Sequence, residues 1–181
     1  MKNKSLIIIC IVFALILGAA ILVYPSLSEK ANEEMTTEST TAQDNSAYPL
    51  YSDVKLFDKD GNEVHLSDFI GKPVILNFWA TWCGYCIQEM PDFEEAYKEY
   101  GDEVQFLIVN TDDGIEKGEQ YISSKGYSFP TYYDLAYSAA VTYGISGIPR
   151  TIAIDKDGRV LYNRAGMVDA DMLESIIEAI K

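Results

Sequence analysis

Cys83 and Cys86 stand three positions apart in the segment NFWATWCGYCIQEMP, and this pair is where the sequence most plainly offers chemistry. A helix starting at the first cysteine carries the second on the same face, about 5–6 Å away between Cβ atoms, so the two sulfurs can join and part as a disulfide. Unsatisfied N–H groups and the macrodipole at a helix start favour an anion, which predicts Cys83 as the readily ionised nucleophile. Cys86, one turn inside, is the more shielded sulfur and is expected to act second, attacking Cys83 to resolve a mixed disulfide. That second step needs a proton acceptor. Glu89, three residues further along the same face, is the candidate, with a pKa raised by partial burial. The plainer alternative for Glu89 is a solvated surface glutamate.

A lone Cys-x-x-Cys is also half of a zinc site. The chain has a single histidine, His65, and its third cysteine, Cys10, lies alone near the start. Four ligands therefore cannot be assembled, and no metal is expected. His65 reads as an ordinary strand residue. No cofactor is called for, because the Cys83–Cys86 disulfide itself stores two electrons. Fourteen Lys and Arg against 28 Asp and Glu leave a formal charge of -14, which repels phosphate backbones and excludes nucleic acid as a partner.

The elements that position the pair can be read around it. Val74 to Ala80, VILNFWA, has the length and composition of a strand buried on both faces and runs straight into the cysteine turn. A helix follows to about Tyr100, with Phe93, Ala96, Tyr97 and Tyr100 at helical spacing. Val104 to Asn110 reads as a second buried strand, Thr111 to Lys125 as a loop and helix, Phe129 to Tyr133 as a short extended piece and Leu135 to Tyr143 as another helix. Upstream, Val54 to Phe57 and Glu63 to Leu66 flank the turn DKDG as a hairpin. Downstream, Thr151 to Asp155 and Val160 to Gly166 form a second hairpin, and Asp169 caps a last amphipathic helix through Ile180. Strands alternating with helices predict an α/β fold, a mixed central sheet with helices on both faces.

The 181 residues hold one such domain, about 48–181, with appendages before it. Residues 1–27 contain an apolar run from Leu6 to Tyr24, closed by Pro25, whose helix would span the roughly 30 Å hydrocarbon core. Lys2 and Lys4 precede the run and acidic residues follow it. The reading is an uncleaved single-pass anchor in the cell membrane, with the domain outside the cytoplasm. The alternative is a cleaved signal peptide ending at Ser26-Leu27-Ser28, which would leave a secreted domain. Cys10 is expected to serve only as a packing residue of this run, since it follows Ile9 and not the small residue a lipidated cysteine needs. Residues 28–47, rich in Thr, Glu, Ser and Asn, read as a flexible polar linker.

These residues resemble the thioredoxin superfamily, and within it the extracytoplasmic TlpA- and ResA-like thiol-disulfide oxidoreductases. The resemblance covers about Val54 to Lys181 and is carried by LSDFIGKPVILNFWATWC, by Glu89 and Pro91 after the cysteines, and by YGISGIPRTIAIDKDG. It implies a thioredoxin-like fold with an N-terminal hairpin extension and, from Thr111 to Tyr133, an inserted helix and strand. It implies that Pro149 is cis and lies against the disulfide, with Ile148 offering its backbone to an incoming substrate chain. Trp82, Gly84, Tyr85 and Arg150 join Ile148 as substrate-facing residues. Pro91 falls where the family's active-site helix is kinked, and Asn77 stands where thioredoxin has a buried strand aspartate, its carboxylate here supplied by Glu89. The implied activity is reduction of disulfides in exported proteins by a monomer that a membrane electron donor re-reduces. Implied substrates are apocytochrome c thiols, in cytochrome c biogenesis, or an exported methionine sulfoxide reductase. Gly84-Tyr85 is the dipeptide of periplasmic disulfide isomerases, so an isomerase or oxidase on the same fold stays open. More distant are a peroxiredoxin-like peroxidase and a noncatalytic binding module.

Overall fold

The structure is a computed structural model that describes residues 48–111 and 113–181. The membrane anchor and linker expected over residues 1–47 lie outside the described residues.

Seven strands form one mixed sheet: β1 (Lys55–Phe57), β2 (Glu63–His65), β3 (Val74–Trp79), β4 (Gln105–Asn110), β5 (Thr131–Tyr133), β6 (Arg150–Ile154) and β7 (Val160–Ala165). Their order across the sheet is β2-β1-β5-β4-β3-β6-β7. Four α-helices accompany them among the described residues: α1 (Gly84–Tyr100), α2 (Ile115–Lys125), α3 (Ser138–Thr142) and α4 (Ala170–Ile180). β3 lies between β4, which it pairs in parallel, and β6, which it pairs antiparallel. Every residue of β3 is buried, as its unbroken apolar run requires.

Alternation along β3 divides the interior into two layers. Ile75 and Trp79 point to one face, where they meet Cys86, Met90 and Phe93 of α1 and Leu173, Ile176 and Ile177 of α4. Val74, Leu76 and Phe78 point to the other, against Leu66, Ala139 of α3, and Ile152 and Ile154 of β6. The strand that delivers the cysteines is thus clamped from both sides.

The insertion after β4, which carries α2 and β5, is built into this sheet. β5 runs parallel to β4, and on its far side Phe57 of β1 pairs with Tyr133. The N-terminal hairpin therefore joins the sheet through the inserted strand.

Leu66, expected to end the first hairpin, instead opens a short 3-10 helix, Leu66–Phe69, and the strand expected from Phe129 begins at Thr131; the largest departure is at α3. The helix predicted from Leu135 begins only at Ser138, because Tyr137 takes a left-handed conformation at φ 55° that no helix interior tolerates. The Asp134 carboxylate, buried at this turn, accepts the Ala140 N–H at 2.8 Å and the Ser138 hydroxyl at 3.3 Å, which fixes the later start.

Asp169 caps α4 as read from the sequence, its carboxylate accepting the Met172 N–H at 3.0 Å. Asp169→Ala is expected to cost about 1 kcal/mol, visible as a lowered urea midpoint at unchanged slope. An unchanged midpoint would show that α4 draws nothing from this cap.

Candidate active site

β3 ends at Trp79, and a turn closed by the Cys83 N–H on the Ala80 carbonyl at 3.1 Å delivers the first cysteine to the start of α1. Cys83 is the N-cap residue, in extended conformation, and its Sγ accepts the Cys86 N–H at 3.2 Å. A sulfur here takes the place usually held by a serine or aspartate oxygen, so one of the orphan N–H groups of the helix start is already aimed at it. The two cysteines are joined as a disulfide, their Cα atoms 5.3 Å apart. Cys86 is fully buried while Cys83 keeps 6 % of its surface exposed. Cys83 is thus the more accessible of the two cysteines. Trp82 and Tyr85 stand out from the same turn, 63 % and 68 % exposed, and Gly84 between the cysteines leaves open space where a side chain would be.

Glu89 is 1 % exposed, so the surface-glutamate alternative is excluded. It lies one turn beyond Cys86 on α1, where i and i+3 positions share a face. Both carboxyl oxygens are engaged: Oε1 accepts Asn77 Nδ2 at 2.7 Å, and Oε2 accepts the Val168 N–H at 2.8 Å. Burial pushes the carboxyl up to about 7; the hydrogen bonds from Val168 and Asn77 pull against this, and the charge of Asp92 adds to it. A carboxyl whose pKa lies near neutrality thus stands one helical turn beyond Cys86. Asn77, in the middle of β3, also donates to Thr151 Oγ1 at 3.2 Å, so this strand residue ties the carboxyl to β6.

The Ile148–Pro149 peptide is cis, as the resemblance implies. Pro149 is buried, and Ile148 packs against both layers of the core just before β6. The Pro149 carbonyl accepts the Gly166 N–H at 2.9 Å, which ties this loop to the end of β7. Arg150 opens β6 and donates from Nε to Asn163 Oδ1 at 2.7 Å, an attachment to the terminal hairpin that its expected substrate-facing role does not include. Pro91 lies inside α1, which continues through it to Tyr100. His65 ends β2 at the surface, hydrogen-bonded to Glu63 at 3.2 Å and facing Asp53 at 3.3 Å.

Three residues of the site were not singled out from the sequence. Val168 acts through its backbone N–H, for which no side-chain signal exists. Thr151 reaches Asn77 only because β6 pairs with β3 in the register that sets the two opposite each other. Asp113 lies in the insertion, 32 residues beyond Thr81 in sequence, and accepts its N–H at 2.6 Å.

Residues 37–180 match the Redoxin family. The thiol-disulfide oxidoreductase ResA of Geobacillus thermodenitrificans is 32% identical over 182 residues, spanning 100% of this chain and 99% of that protein. The ResA of Geobacillus kaustophilus is 36% identical over 146 residues, covering 80% of this chain and 82% of its own. Among solved structures, the exposed lipoprotein thioredoxin Etrx1 of Streptococcus pneumoniae superposes with a TM-score of 0.62 at 30% identity, over 70% of this chain and 99% of that one.

Proposed function

This chain belongs to the redoxin family, as a ResA-like thiol-disulfide oxidoreductase of thioredoxin-like fold, and from that premise we propose that it works outside the cytoplasm as a reductase of exported proteins. In the forward reaction the Cys83 thiolate attacks one sulfur of a substrate disulfide and expels the other as a thiolate. Cys86 then gives its proton to the Glu89 carboxylate and attacks Cys83 Sγ, which frees the second substrate thiolate. Two electrons pass to the substrate, its sulfurs take up two protons, and the enzyme is left with the Cys83–Cys86 disulfide. A dithiol donor in the membrane restores the enzyme by the reverse exchange, and the N-terminal segment holds the domain near that donor.

The observation that carries this reading is the buried Glu89 one turn past Cys86. It offers the base the resolving step requires. Its ionised form also sets negative charge near the thiolate of the reduced enzyme, and a reduced form stabilised so sparingly gives up its electrons readily. Trp82, Tyr85 and the Ile148 backbone form the surface on which the substrate chain lies, and Arg150 borders it. Apocytochrome c or a methionine sulfoxide reductase are the substrates we favour by resemblance.

Equilibration with redox buffers tests the direction. The expected potential lies nearer the thioredoxin end, about -270 mV, than the strongly oxidising end at about -120 mV. A value near the oxidising end would assign the chain to disulfide formation or isomerisation instead.

A further inference from the structure

The insertion reaches back to the redox turn through one buried carboxylate. Asp113 lies just before the N-terminus of α2, and its side chain is 1 % exposed. Four donors converge on it. Thr81 gives both its N–H, at 2.6 Å, and its hydroxyl, at 2.8 Å. Asn110, the last residue of β4, gives Nδ2 at 3.0 Å, and Lys117 one turn into α2 gives its ammonium. Asp113 in turn donates its own N–H to Asn110 Oδ1 at 2.9 Å, which locks the carboxylate to the strand end.

A carboxylate withdrawn from water is costly unless its lone pairs are met, and this one is met from three elements. Burial works to raise its pKa, but the hydrogen bonds from Lys117, Thr81 and Asn110 outweigh it and hold the group at about 2. It is therefore ionised wherever the enzyme works, a fixed anchor that does not titrate with Glu89.

What it anchors is the turn that presents the nucleophile. Thr81 lies between the end of β3 and Cys83, inside the turn closed by Cys83 N–H on the Ala80 carbonyl. With Thr81 held at both its backbone and its hydroxyl, Cys83 is kept at the N-cap, where the Cys86 N–H meets its sulfur. We propose that Asp113 is a positioning residue for Cys83, clasping Thr81 so that the inserted segment holds the redox turn in its reactive geometry. This inference rests on the assignment of Cys83 as the attacking sulfur.

Thr81→Val removes the hydroxyl while leaving the Asp113 charge in place, and so reads the clasp apart from the electrostatics. Thr81→Ser restores the hydroxyl. In the reduced full chain, the rate of Cys83 alkylation at neutral pH, followed by peptide mass, is expected to fall about tenfold in Thr81→Val and in Asp113→Asn. Thr81→Ser is expected to stay near the wild-type rate. The ultraviolet absorbance of the thiolate should move with the rate, in variants whose melting temperature is close to that of the parent. Rates equal to wild type in both Thr81→Val and Asp113→Asn, or a fall that Thr81→Ser shares, would overturn the proposal. Cys83→Ser serves as the separating control. If it is inert, a null result in Thr81→Val refutes the clasp alone; if it still exchanges disulfides, the assignment of the nucleophile fails and the clasp with it.

Discussion

Cys83→Ser is expected to abolish disulfide exchange, with a loss on the order of 10⁴–10⁶-fold, the scale on which removal of a covalent nucleophile acts. A serine hydroxyl cannot ionise at this helix start, and the burial of Cys86 keeps it from replacing the attacking sulfur. Cys86→Ser is expected to behave differently. Cys83 still attacks, so reduced Cys86→Ser releases one equivalent of thiol from a coloured aromatic disulfide and then stops as a mixed disulfide. The mass of that adduct identifies Cys83 as its site. Steady turnover by Cys86→Ser, or an adduct on Cys86 in the Cys83→Ser variant, would reverse the roles assigned to the two sulfurs.

The second large effect is expected at Glu89. Glu89→Gln removes the proton acceptor of the resolving step, and that step should slow by roughly a hundredfold at neutral pH, at the lower end of general-base contributions. Attack by Cys83, measured as the first release of thiol, should not slow, since loss of the nearby negative charge favours its thiolate. The same substitution changes how stability depends on pH. In the folded chain Glu89 is raised from its ordinary 4.5 to about 7 by burial. The folded state therefore binds the extra proton between these values. Stability from this group is fully present below about 4.5, declines as pH rises through about 7, and amounts to roughly 3 kcal/mol across that interval. Urea unfolding at a series of pH values should show that decline in the parent chain and a much smaller one in Glu89→Gln, where His65 at the surface, its pKa raised by Glu63 and Asp53, still contributes. A parent whose stability is level from pH 5 to pH 8, or a variant that keeps the decline, would remove the carboxyl from its assigned place.

Much of this site was legible before the fold was seen, because its central parts are local. Cys83 at the N-cap and Cys86 and Glu89 within one helix follow at intervals of three, so spacing alone puts them on a shared face. VILNFWA could be read as a central strand since an apolar run of that length, ending in a turn, has few other uses. The Asp169 cap likewise needed only its neighbours. The less legible parts depend on distance in sequence. Thr151 meets Asn77 across paired strands, and Val168 supplies a backbone group to Glu89 from a loop 79 residues away. Asp113 was hidden in an acidic, loop-like stretch where a carboxylate ordinarily faces water, and only the packing of α2 beside the redox turn shows it buried. The late start of α3 has a similar origin: Asp134, a residue common in turns, accepts the Ala140 N–H, so the helix starts three residues after the point apolar spacing alone indicates.

The central claim is that Cys83 and Cys86 pass between joined and separate forms, and differential alkylation of the whole chain tests it most directly. Treated with a mild dithiol reductant and then labelled, the chain should gain two labels, one on each of these cysteines, and lose both again when a disulfide substrate is added before labelling. If neither residue gains a label, or if the labels persist in the presence of substrate, the account is contradicted.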